Sequence, residues 1–107
     1  MCGFIGYIVK KQSKSIEKYN SKFDYYFNLL NNRGPDFNSK KSLEYGDFQL
    51  KFGFSRLAIQ DISENANKIF YSEDFILLYN GEIYNKENLK KEYLVNQKLE
   101  TSTDTEI

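Results

Sequence analysis

The chain has no histidine and no tryptophan, and only one cysteine, one proline and one methionine in 107 residues. The lack of histidine rules out a Ser-His-Asp triad, a papain-like Cys-His pair and an imidazole metal site. With Cys2 as the sole cysteine, neither an internal disulfide nor a multi-cysteine zinc site can form. Net charge is missing too. Fifteen basic residues balance fifteen acidic ones, so there is no basic field to draw nucleic acid or an anionic membrane surface. The apolar run from Cys2 to Val9 is too short to cross a bilayer, and no basic region precedes it, so it reads neither as a span nor as a signal peptide. The cytoplasm is the expected location.

What remains is the composition of one globular domain with one core: 40% hydrophobic and 28% charged residues, with nine Tyr and nine Phe. Residues 2–9 read as a buried strand ended by Lys10-Lys11. From Ser15 to Asn32, Ile16, Tyr19, Phe23, Tyr26, Phe27 and Leu30 recur at steps of three and four, which predicts an amphipathic helix with Lys14, Lys18, Lys22 and Asp24 on its wet side. Asn31-Asn32-Arg33-Gly34-Pro35-Asp36 stops that helix in a strong turn context.

Residues 42–59 read as two strands joined at Gly46-Asp47, with Leu50, Phe52, Phe54 and Arg56 on one face of the second. After a polar loop at 61–67, Lys68–Tyr71 and Phe75–Tyr79 predict a strand pair, broken by Asn80-Gly81 and resumed at Glu82-Ile83-Tyr84. A short helix follows over Lys86–Tyr93 with Asn85 as N-cap. Thr103-Asp104-Thr105-Glu106 has the form of a capping box that opens a helix. Only one residue follows it, so the expectation is a chain cut short.

Cys2 raises the question of chemistry. Removal of Met1 would put a thiol and a free α-amine on the same Cα. An amine with a pKa of about 7.7–8.0 can act as the base that histidine usually supplies. Each candidate also has a plain structural use. Cys2 can be strand packing, Arg56 a strand-end arginine in a salt bridge, and Asn80-Gly81 a turn. Asp104 can be a first-turn residue favoured by the helix dipole, and Arg33-Gly34-Pro35-Asp36 a tight turn with an internal ion pair.

Taken in order, MCGFIGYI at the start, RGPD at 33–36, SRLAIQDIS at 55–63, YNGEIYN at 79–85 and STDTE at 102–106 resemble the glutaminase domain of class II, N-terminal-nucleophile glutamine amidotransferases. The wording is most like the glutamine-hydrolysing asparagine synthetases, and the resemblance spans the chain from Cys2 to its last residue. It implies an α+β fold of the N-terminal-nucleophile hydrolase type, a four-layer αββα sandwich of which residues 1–107 are the N-terminal part.

The resemblance also implies roles. Cys2 attacks the glutamine amide, and Asn80 and Gly81 form the oxyanion hole. Arg56 takes the substrate α-carboxylate. Asp104 takes the α-ammonium, assisted by Glu82, while Arg33 and Asp36 shape the edge of the site. Two departures stand out: Phe54 occupies a position where the family usually has histidine, and Thr103 one where it commonly has serine. Neither removes a catalytic atom.

No cofactor is implied for this segment. The resemblance implies ATP and Mg for a C-terminal synthetase domain expected to be missing from this segment, in which no pyrophosphate loop occurs. The implied partners are glutamine and that C-terminal domain, with a homodimer allowed. Two alternatives stay open: an amidotransferase for another carboxylate, such as a cell-surface sugar acid, and a non-catalytic interaction domain on the same scaffold.

Overall fold

The computed structural model describes residues 2–59 and 61–107. Met1, and with it the expected removal of that residue, lies outside the described residues, as does Gln60. Strand β1 (Gly3–Lys10) is followed by helix α1 (Ile16–Asn28), strands β2 (Phe37–Tyr45) and β3 (Phe48–Arg56), the short strands β4 (Phe70–Tyr71) and β5 (Ile76–Leu77), and helix α2 (Lys86–Tyr93). The order β1-β3-β2 makes one antiparallel three-stranded sheet, and β4 pairs with β5 in a separate ribbon. These elements make a small α+β fold. The four-layer sandwich is not displayed by them.

The hairpin turns at Gly46-Asp47 as the sequence predicts, because Tyr45 pairs with Phe48 and Gly46 takes a φ of +53°. That left-handed conformation costs glycine little and an L side chain about 1 kcal/mol or more. Strand β2 begins at Phe37, earlier than residue 42. Its early stretch Asn38-Ser39-Lys40-Lys41 has no apolar alternation to announce it, and its register against Ser55, Phe54, Gly53 and Phe52 supplies the pairing instead.

Helix α1 packs on the sheet face that carries Gly3, Tyr7 and Gly53. Phe23 and Phe27 are buried there and stack with ring centroids 6.1 Å apart, while Tyr7 meets Phe23 edge-on at 6.0 Å. Gly53 allows the close approach, since a Cβ there would fall 2.4 Å from the Phe27 ring. The helical run predicted to Asn32 is α-helical only to Asn28, and Leu29–Asn32 tighten into a 3-10 turn. Arg33 and Gly34 then both donate backbone N–H bonds to the Leu30 carbonyl. The opposite sheet face is thinly covered: Phe4 is 52% and Ile8 63% exposed.

Three further sequence expectations change. The strand predicted to resume at Glu82–Tyr84 does not form, because the Ile83 N–H donates to Asp104 Oδ2 at 2.8 Å and is lost to any ladder. Asn85 precedes α2 but makes no side-chain cap; its backbone carbonyl accepts from Asn88 and Leu89. The predicted capping box opens only a three-residue 3-10 turn, Asp104–Glu106. Glu106 does not reach back to Thr103. It accepts instead from the N–H groups of Glu100 and Thr101, at 2.8 and 2.7 Å, and from the Thr101 hydroxyl at 2.6 Å.

Candidate functional site

The register that places Gly3 opposite Ser55 brings the start of β1 beside the exit of β3. Cys2 therefore meets Leu57. The Leu57 N–H donates to Cys2 Sγ at 3.4 Å, and the thiol donates back to the Leu57 carbonyl at 3.8 Å. Arg33 Nε donates to the Cys2 carbonyl at 3.4 Å. Such an approach needs the Arg33–Asp36 turn to lie tight on β3, and Gly34 makes room for it. A Cβ on Gly34 would fall 2.3 Å from the Ser55 carbonyl carbon. Asp36 binds the same strand exit, its N–H donating to the Arg56 carbonyl at 3.1 Å and its Oδ2 accepting from the Ala58 N–H at 2.8 Å.

Arg56 ends β3 at 6% exposure. Burying a guanidinium demands acceptors for its donors. Nη1 donates to Asn67 Oδ1 at 2.6 Å, and Nη2 donates to the Asp61 main-chain carbonyl. The strand-end salt bridge considered for this arginine is absent among the ion pairs of the described residues, and so is the Arg33–Asp36 pair.

The Asp61 carboxylate has a separate task. Oδ1 accepts from the Ser63 N–H at 2.8 Å, while Oδ2 accepts from the Ser102 N–H at 2.8 Å and the Ser102 hydroxyl at 3.0 Å. The Ser63 hydroxyl and the backbone N–H groups of Ser102 and Ser63 hold this carboxyl well below its ordinary range. One aspartate thus ties the loop that cradles Arg56 to the segment that delivers Asp104.

These loops enclose a cavity of about 300 Å³. Cys2, Arg56, Asn80, Gly81, Glu82 and Asp104 all line it, together with Phe54 and Thr103. Asp104 is 6% exposed, and its bond from the Ile83 N–H fixes one carboxylate oxygen. Gly81 sits where a Cβ would come within 2.6 Å of the Tyr79 hydroxyl. Desolvation raises the pKa of that phenol, and the negative charges of Asp104 and Glu82 add to the shift. The cavity wall therefore carries a cation at Arg56 and a region of negative potential around Asp104 and Glu82, which complements a zwitterionic amino acid.

Of the residues singled out in the sequence, Arg33 and Asp36 are the two that do not line the cavity. They brace Cys2 and the β3 exit from outside. Sequence reasoning missed Asp61 and Asn67. Asp61 left a usable signal, because Asp followed two residues later by Ser is the pattern of an Asx turn. Asn67 left none, as its partner is eleven residues away. Among the described residues no group of three or more His, Cys, Asp or Glu side chains could hold a metal ion, and no helix is long and apolar enough to cross a membrane.

The family model for the glutamine amidotransferase domain matches residues 1–107, and the chain belongs to that family. It is 32% identical, over its whole length, to an asparagine synthetase [glutamine-hydrolyzing] 3 of Bacillus subtilis (strain 168). It is 42% identical over 73% of its length to a probable asparagine synthetase [glutamine-hydrolyzing] of Acanthamoeba polyphaga mimivirus. A putative asparagine synthetase [glutamine-hydrolyzing] 2 of Methanocaldococcus jannaschii is 32% identical across the full chain. The chain spans 17%, 14% and 23% of the lengths of these three relatives. No solved structure gives a significant match.

Proposed function

We propose that the chain carries the glutamine-hydrolysing site of an asparagine synthetase-like enzyme, with Cys2 as nucleophile. The single observation that supports this reading most is the convergence of Cys2, Arg56, Asn80, Gly81, Glu82 and Asp104 on one cavity of about 300 Å³, roughly the lower bound for small-molecule sites. Arg56 receives the glutamine α-carboxylate, while Asp104 and Glu82 receive the α-ammonium.

In this reading, Met1 is removed and the α-amine of Cys2 takes the thiol proton through a water. Sulfur attacks the side-chain amide carbon and forms a C–S bond. The carbonyl electrons move onto oxygen, where the Asn80 amide and the Gly81 N–H donate to the oxyanion; each such donor is worth about 3–4 kcal/mol. The proton passes to the amide nitrogen, the C–N bond breaks, and ammonia leaves a thioester. Water adds to the thioester, the C–S bond breaks, and glutamate departs. The sum is glutamine plus water giving glutamate plus ammonia.

A C-terminal synthetase domain, as the greater length of the relatives suggests, would use that ammonia to amidate aspartate. ATP and Mg would be bound there and not by this segment. The two-sheet sandwich and the homodimer belong to the same proposal.

The test is ammonia release from glutamine by the full-length protein. Cys2→Ala is expected to lower the rate by about 10³-fold or more, and retention of Met1 is expected to do the same. Turnover at the normal rate by either form would contradict the reading.

A further inference from the structure

The Arg56 guanidinium faces the cavity through uncharged partners, namely Asn67 Oδ1 at 2.6 Å and the Asp61 main-chain carbonyl. No carboxylate pairs with it among the described residues. A buried arginine without a counter-ion is an expensive arrangement, and an aspartate at position 67 would relieve it with almost no change of shape. Asparagine supplies the same acceptor oxygen without the charge. Two of the donors are spent on these contacts, which fix the plane of the fork; among the described residues the other N–H groups take no further acceptor, so they can receive an incoming carboxylate.

We propose that Asn67 is a positioning residue: it orients Arg56 through a neutral acceptor and keeps the full guanidinium charge for the carboxylate of the substrate. This rests on the reading of Arg56 as the α-carboxylate partner. It predicts an inverted order of substitutions. Asn67→Asp retains the shape and gains an ion pair, so a purely structural role makes it the milder change. If neutrality is the point, Asn67→Asp is the more damaging one, because its carboxylate competes with and repels that of glutamine.

The experiment is steady-state glutamine hydrolysis by the full-length protein, with thermal melts of each variant. Asn67→Asp is expected to raise KM for glutamine about tenfold or more, with kcat within about threefold and no loss of melting midpoint. Asn67→Ala is expected to raise KM only about threefold, because the fork loses one anchor and keeps its charge. An unchanged KM for Asn67→Asp, a larger effect of Asn67→Ala, or failure of Asn67→Asp to fold would overturn the proposal. Arg56→Ala is the control. If it raises KM while Asn67→Asp does not, only the role of Asn67 falls; if it leaves KM unchanged, the glutamine reading of Arg56 falls.

Discussion

The two halves of the chain are held together in different ways. Residues 3–56 form a continuous antiparallel ladder with a helix packed on one face. The described residues of 57–107, which supply most of the cavity wall, contain two strands of two residues each and one α-helix of eight. There carboxylates do much of what a ladder does elsewhere. Asp36 accepts from Ala58, Asp61 from Ser63 and Ser102, Asp104 from Ile83, and Glu106 from Glu100 and Thr101. Each bond satisfies a backbone N–H that a loop would otherwise leave to water. A cavity that must present polar groups from several directions is easier to build from such loops than from a flat sheet.

The sharpest way to break the comparison is to strike the seam between the halves. Gly34→Ala drives a Cβ into the backbone of Ser55 and Arg56, which cannot yield as a flexible side chain would. It is expected to cost roughly 3 kcal/mol and to abolish the site, read by thermal melt and glutaminase assay. Gly46→Ala, at the hairpin turn with nothing within 4 Å of its Cβ, is expected to cost about 1 kcal/mol and leave activity in place. Equal effects would mean that the seam is not tight.

A smaller effect separates the halves by pH. The Asp61 carboxyl is held below its unfolded value of about 3.9. Its stabilisation is therefore complete above about pH 4 and is lost as pH falls through the lower folded value. Burial pushes the Glu106 carboxyl up, but bonds from the Thr101 hydroxyl and the N–H groups of Glu100 and Thr101 outweigh it and lower its pKa, so it acts in the same direction. Asp61→Asn is expected to lower the melting midpoint at pH 7 by a modest amount, since Asp61 is only partly buried and its charge is screened. The gap to the unsubstituted protein should narrow progressively as pH falls below about 4. Amide protection at Ser63 and Ser102, relative to the unfolded chain at the same pH, should fall on acidification before protection in β3 does. A gap that does not narrow between pH 5 and pH 2 would remove the carboxylate from this role.

The same division decides what was legible in the sequence. Helix α1 followed from the spacing of Phe23 and Phe27, and the hairpin from Gly46-Asp47, because periodicity and turn chemistry are local. The polar start of β2 was not legible, since only its partner strand specifies it. Short motifs marked the cavity residues Cys2, Arg56, Asn80, Gly81, Glu82 and Asp104. Asn67 escaped because it acts on Arg56 across eleven residues of chain, and no pattern encodes that contact. Thr103–Glu106 misled for a related reason. A glutamate three residues after a threonine can form a box, but the N–H groups of Glu100 and Thr101 captured it.

The central proposal is that Cys2 acts as a nucleophile on glutamine in the cavity it lines with Arg56 and Asp104. Its most direct measurement is intact-mass and peptide mass spectrometry of the full-length protein after incubation with a diazo-ketone analogue of glutamine. The thiol would displace dinitrogen and form a stable C–S bond. A single adduct on N-terminal Cys2, suppressed by excess glutamine and absent from Arg56→Ala at low reagent concentration, is the expected result. An unmodified Cys2, or labelling that glutamine does not slow, would contradict it.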